Sequence, residues 1–267
     1  MGTISCVSNF IFLSKNSISS SSLPFFKKPI PIFQSFNFSS SSSLQVSASS
    51  TSGKAMVGEN DLLIVGPGVL GRLVAEKWRE SIRLAALSWN GEGSFVFTSS
   101  SAPYDCNDNG PCDEDTPTVP IGRSPRTDTL LKAEKVVLEF DGCVVRLAGL
   151  YKMDRGAHFY WLHKGTVDAR PDHILNLIHY EDAASLSVTI LKKKLRGRIF
   201  LGCDNHPLSR QEVMDLVDKS GKFDKKFQGF TGTSDPLGKK LNNSNTRKEL
   251  GWEPKYPSFA HFLGVSE

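Results

Sequence analysis

The stretch DLLIVGPGVLG (61–71) decides the reading of this chain. Four apolar residues, Leu62 to Val65, make a short buried strand, and Gly66, Gly68 and Gly71 follow at G-x-G-x-x-G spacing. In that pattern the first glycine permits a tight turn, the second lets backbone approach a pyrophosphate, and the third lets the next helix pack close to the strand. The free N–H groups at the helix start then face the anion. Gly66, Pro67, Gly68, Val69, Leu70 and Gly71 are therefore the candidate cofactor-binding turn. The alternative is a glycine turn that serves packing alone.

Downstream, KWRESIRLAALSW (77–89) continues a helix. Leu70, Leu73, Val74, Trp78, Ile82, Ala85, Ala86 and Trp89 recur at helical spacing, and no Gly or Pro intervenes between Arg72 and Trp89. NGEG (90–93) stops it, and FVFTSSSAPY (95–104) gives a strand ending in Ser99, Ser100 and Ser101. Strand, one helix, strand is a single parallel crossover. Strands 62–65 and 95–98 are thus expected to be direct neighbours. The helix between them, about 30 Å long at 1.5 Å per residue, exceeds a typical strand of ~20 Å and should overhang the sheet or kink.

Further on, the spacing predicts a helix in SPRTDTLLKAEKVVLEF (124–140), capped by Ser124 or Thr127, and one buried strand in CVVRLAGLY (143–151). A strand then runs into Ile178, a helix starts near Glu181, and GRIFLGCD (197–204) is another strand. A helix follows Ser209 with a capping box to Glu212, and two short helices end the chain. This alternation argues an α/β parallel sheet. The acidic loop DCNDNGPCDEDTPTVPIG (105–122) is rich in turn formers and is expected at the surface.

The first fifty residues have a different composition. They are serine-rich, hold Lys15, Lys27 and Lys28, and no acid precedes Glu59. Residues 1–55 therefore read as a disordered transit peptide, and the absence of arginine before Arg72 favours chloroplast over mitochondrion. The whole chain carries +4. Without those three lysines it carries about +1, so its basicity is no argument for nucleic acid. No apolar run approaches the ~20 residues of a membrane helix. The five cysteines match no metal spacing, and the one close pair, Cys106 and Cys112, reads as reduced loop thiols rather than a redox disulfide.

The chain from Asp61 onward resembles the extended short-chain dehydrogenase/reductase superfamily, in its NAD-dependent epimerase/dehydratase group, and within it the atypical YeeZ-like branch. FVFTSSSAPY is similar to the strand that ends in the active-site serine, CVVRLAGLY to the strand whose loop lies near the nicotinamide, NLIHYEDAA to a His-x-x-Asp segment, and SNTRKELGWEPKYPSF to the C-terminal signature. The resemblance implies a doubly wound parallel-sheet NAD(P)-binding Rossmann fold with a small C-terminal substrate subdomain. Residues 56–150 would form the nucleotide-binding core, and 151–267 the rest of the sheet and the subdomain. It also implies NAD or NADP as cofactor, bound weakly here, and a small-molecule substrate in a plastid. No membrane and no nucleic acid are expected.

Three departures stand out. The strands two to four of the resembled fold, which would grip the adenosine ribose, are absent between Gly71 and Phe95. The family's Tyr-x-x-x-Lys pair is missing: aligning Glu134 with the family's helix glutamate puts Arg126 at the tyrosine and Leu130 at the lysine position. Val65 also replaces the first glycine of the extended motif. Ser100 aligns with the catalytic serine, and without a tyrosine partner it serves better as a cofactor or backbone ligand, together with Ser99. Tyr151 either lines the nicotinamide side or packs. Asp182 is expected to cap its helix, and Arg155 and Arg170 either meet an anionic substrate or pair with local acids. Two functional readings stay open: an oxidoreductase or epimerase in the full-length form, and a non-catalytic binding or regulatory protein, or inactive shortened isoform, on the same scaffold.

Overall fold

A computed structural model describes the backbone of Thr3–Val7, Phe10–Ser14 and Leu62–Val65, together with Arg83 and residues 85–266. The candidate turn Gly66–Gly71 and most of the helix expected over 70–89 lie outside the described residues. Of that helix, positions 83 and 85–88 are helical, and Trp89 closes it by donating to the Ala86 carbonyl at 3.3 Å. Within the segment read as a leader, β1 (Thr3–Val7) and β2 (Phe10–Ser14) pair antiparallel.

The central sheet holds β3 (Leu62–Val65), β4 (Phe95–Ser100), β6 (Cys143–Leu147) and β11 (Ile199–Gly202) in the order β11-β6-β4-β3, all parallel. Strand β3 lies directly beside β4, with Leu62 opposite Phe95 and Val65 opposite Thr98, as the single-crossover reading requires. Period-two alternation then sorts side chains onto two faces. Phe95, Phe97 and Val144 pack with Ala86 and with Ala133 and Val137 of α1 (Pro125–Glu139). Val96, Val145 and Leu147 join Leu186 and Ile190 of α3 (Tyr180–Lys192) in the other layer. Full burial of each large side chain contributes roughly 1.5–3 kcal/mol. The result is a doubly wound α/β sheet, shortened on the β3 side.

The run 143–151 is two strands, where one was expected. At Ala148 the backbone changes partner: Ala148 N–H still donates to Gly202, while Gly149 N–H donates to Asn176. Strand β7 (Gly149–Tyr151) therefore pairs with β10 (Leu177–His179) rather than with β11. The acidic loop is likewise only partly at the surface. Its β5 (Pro111–Cys112) pairs in parallel with β14 (Lys240–Leu241), and Tyr104 and Cys112 are buried.

A C-terminal unit gathers α2 (Ala157–Lys164), α4 (Arg210–Ser220) and α6 (Phe259–Leu263) around Tyr151, Trp161, Met214 and Phe259. Strands β8 (Thr166–Val167) and β13 (Gly229–Phe230), and β9 (Ile174–Leu175) and β12 (Leu208–Ser209), tie its loops together. The capping box at Ser209 and Glu212 forms as read. α5 (Ser244–Leu250) lies against β11. Among the described residues no helix is long and apolar enough to cross a membrane.

Candidate functional site at the carboxyl ends of the parallel strands

Parallel α/β sheets bind ligands outside the carboxyl ends of their strands, and there the serine cluster emerges from β4. Alternation turns the three serines to different work. Ser99 shares the α1 face with Phe95 and Phe97, and its Oγ donates to Glu134 Oε1 at 2.5 Å. Glu134 also takes two Arg146 donors, Nη2 to Oε2 at 2.7 Å and Nε at 3.2 Å. Both side chains are almost wholly buried, at 7% and 3% exposure for Arg146 and Glu134. A buried ion pair is tolerable only when its remaining valences are met, and Ser99 meets one of them. Ser100 is half-buried; its Oγ accepts from Ala102 N–H at 3.2 Å, which leaves its own proton free to donate. Ser101 N–H donates to the Leu147 carbonyl, locking the turn onto β6.

Tyr104 is tied to this cluster by its N–H, which donates to the Ser101 carbonyl at 3.3 Å. The Arg146 guanidinium stands 4.7 Å from its ring centroid, within cation–π range. Its hydroxyl is buried without a hydrogen-bond partner. Burial pushes the phenol up to about 12, against the pull of the nearby Arg146 charge. Such a phenol is a packing group, not a proton carrier at neutral pH. From the other end of the chain comes Lys239, whose ammonium donates to the carbonyl oxygens of Tyr104 at 2.6 Å and Ser101 at 3.4 Å.

Other expected residues fall elsewhere. Arg126 is exposed and Leu130 half-buried on α1, so neither replaces a proton-transferring side chain. Tyr151 is fully buried, edge-on to His179, Phe259 and Phe262, with no surface to offer a ligand in this conformation. Asp182 is not the helix cap. His179 caps α3 by accepting from Glu181 N–H, while the Asp182 carboxylate accepts the backbone N–H groups of Lys255 and Tyr256 at 2.7 and 3.0 Å. The His-x-x-Asp segment thus fastens the C-terminal signature to the sheet. Arg170 is engaged by local acids, bidentate to Asp172 and bonded through its N–H to Asp235. Arg155 is exposed, 5.8 Å from the Tyr180 ring centroid. In the basic run 192–198, Arg196 lies on Trp89 and bonds the Gly91 carbonyl, and Arg198 pairs with Glu249. The described cysteines are free, and among the described residues no group is arranged to hold a metal.

Two parts of the site escaped the sequence reading. The Glu134–Arg146 pair had a signal: an arginine inside an otherwise apolar strand, and a glutamate on the buried stripe of the facing helix. Lys239 had none, because it reaches the Ser101 carbonyl across 138 residues of chain.

No protein-family model matches this chain, and no curated protein sequence matches it. Solved structures do. The chain is similar to the dTDP-glucose 4,6-dehydratase of Bacillus anthracis in complex with NAD, with a TM-score of 0.57 and 17% identity over 71% of this chain and 63% of that one. It is similar to a UDP-glucose 4-epimerase of Thermotoga maritima with UDP-glucose, TM-score 0.58 and 16% identity over 72% and 69% of the two chains. A conserved protein of unknown function from Silicibacter pomeroyi gives 0.57 and 22% over 72% and 70%. At these identities the likeness establishes the fold. The chain spans less than two thirds of the dehydratase's length.

Proposed function

We propose that this chain is an NAD(P)-binding Rossmann-fold protein of the epimerase/dehydratase type, and that its full-length form is an oxidoreductase or epimerase acting on a small plastid metabolite. The supporting observation is the sheet order β11-β6-β4-β3 with a glycine turn after β3 and a serine cluster at the end of β4. Solved neighbours with this fold carry NAD and UDP-glucose. The cofactor would supply hydride transfer. The turn Gly66–Gly71 would hold its diphosphate, and Ser100 would donate a hydrogen bond at the other end. Among the described residues only Ser100 is placed to meet that group: Ser99 is spent on Glu134, and Tyr151 is packed away.

That partial fit favours a second reading for the shortened chain itself, a binding or regulatory protein without turnover. The serine strand is wired into a structural ion pair, and the positions aligned with the proton-transferring pair hold Arg126 and Leu130. The leader-like first 55 residues support a chloroplast address, with the mitochondrion as the alternative.

Calorimetric titration with NADH and NADPH tests the cofactor. The expected result is saturable heat with weak affinity, because the strands that grip adenosine are missing; heat equal to dilution up to millimolar dinucleotide overturns it. An assay for turnover of UDP-glucose then separates the two readings: dinucleotide binding without turnover supports the second.

A further inference from the structure

The sequence holds two Asn-Gly pairs, Asn90–Gly91 and Asn109–Gly110. In such a pair the peptide nitrogen of the glycine is a nucleophile toward the asparagine Cγ, because no Cβ shields its approach. The fold treats the two pairs oppositely. Asn90 and Gly91 are exposed, in the turn between the helix that ends at Trp89 and β4. Asn90 Oδ1 accepts from Glu92 N–H at 3.0 Å, an Asx turn that folds the side chain back over the Gly91 peptide and polarises the Cγ carbonyl. Gly91 has φ +80° and open space around it, and among the described residues its N–H donates to no acceptor. Its carbonyl accepts from Arg196 Nη2 at 2.8 Å. That guanidinium sets a positive charge near the nitrogen that must lose its proton, which favours the loss.

Asn109 has the same neighbour and none of that freedom. Its Oδ1 accepts from Gly238 N–H at 2.7 Å and Ile174 N–H at 3.0 Å, and its Nδ2 donates to the Asp172 carbonyl at 2.9 Å. The nucleophile is also engaged: Gly110 N–H donates to Asp108 Oδ1 at 2.8 Å. Attack there requires the side-chain bonds and the bond of the nucleophile to open together.

We propose that Asn90 is a site of spontaneous deamidation in the folded protein, and that the fold protects Asn109 from the same reaction. Gly91 N bonds to Asn90 Cγ as its proton passes to solvent. The bond from Cγ to the side-chain nitrogen breaks, and that nitrogen takes a proton from water and leaves as ammonia. Water then opens the cyclic imide at either carbonyl and gives aspartate or isoaspartate. Either product places a carboxylate near Arg196, whose guanidinium stands 4.5 Å from the Trp89 ring centroid. The isoaspartate also lengthens the main chain by a methylene just before β4.

The test is peptide mapping by mass spectrometry of the full chain, incubated at neutral and at mildly alkaline pH. In the folded protein Asn90 should convert to aspartate and isoaspartate at least ~10-fold faster than Asn109. Its rate should rise with pH, because the attacking nitrogen must lose its proton. In concentrated urea both pairs lose their surroundings, and the two rates should converge. An Asn90 that stays an amide in the folded chain, or an Asn109 that converts as fast, overturns the proposal. A rate gap that survives in urea overturns it as well, since local sequence and not the fold would then set the difference.

Discussion

Arg146 shows how one residue ties fold to site. It sits on the fully buried strand β6 and spends its guanidinium on Glu134, while Ser99 bonds the same carboxylate. Arg146→Met leaves that carboxylate buried with one hydroxyl donor, so the variant should lose about 3–5 kcal/mol of stability in urea unfolding. Arg146→Met with Glu134→Leu removes both charges and should recover most of it; a double variant as unstable as the single one would show that the pair does not act as a unit. Asp204 makes a second residue-scale argument. It is 1% exposed, its Oδ2 has no partner, and Oδ1 accepts from His206 N–H. Burial raises its carboxyl to about 8, opposed by the His206 N–H and the charge of Arg247, with Asp182 adding to the rise. The sign follows: between about 4 and 8 the folded state holds a proton that the unfolded state has released, so stability falls as pH rises through that window. Asp204→Asn should flatten the decline, measured as melting temperature from pH 5 to 9. An unchanged slope would place the titration elsewhere.

Elements differ in how much of themselves they write into sequence. Strand β4 and helix α1 were legible because alternation and helical spacing each run for many residues, and α4 because its capping box announces its start. The break between β6 and β7 was not: Ala148 carries no turn signal, and the change of partner is dictated by Gly202 and Asn176, far away in sequence. Two-residue strands such as β5 and β14 show no period at all, so the acidic loop read as wholly exposed although Cys112 is buried. Just before β14, Gly238 lies against the backbone of Ile174 in β9. A Cβ there would collide with the Ile174 carbonyl oxygen and lie 2.8 Å from its carbon. Asn109 Oδ1 accepts from both Gly238 and Ile174 N–H groups, pinning the same approach. Gly238→Ala cannot relieve the clash by rotating a side chain, since the obstacle is backbone. It should cost at least about 2–3 kcal/mol, the upper range for overpacking, and limited proteolysis should then cleave within 105–116. Wild-type stability and protease resistance in this variant would show that the close approach is not required.

At the scale of the molecule the deciding feature is a count. The short stretch of sequence between Val65 and Phe95 leaves room for one crossover, so β3 was expected beside β4, and the two strands pair. That much was readable because chain length limits topology. The strand-end site was half readable: the serines were visible as a cluster, but which of them bonds Glu134, which receives the Ala102 N–H and which distant cation reaches the Ser101 carbonyl depend on packing between β4, α1 and the segment before β14. Sheet order also has a dynamic consequence. Among the described residues, β4 and β6 are hydrogen-bonded on both sides, whereas β11 is bonded only to β6. Local opening of an edge breaks one ladder, while opening a central strand breaks two and exposes both apolar layers. Hydrogen exchange should therefore grade across the sheet, with amides of 96–99 and 143–147 protected at least ~100-fold more than those of 199–202. Equal protection of 199–202 would mean that another strand pairs with the outer edge of β11, and that the sheet is longer than the order β11-β6-β4-β3.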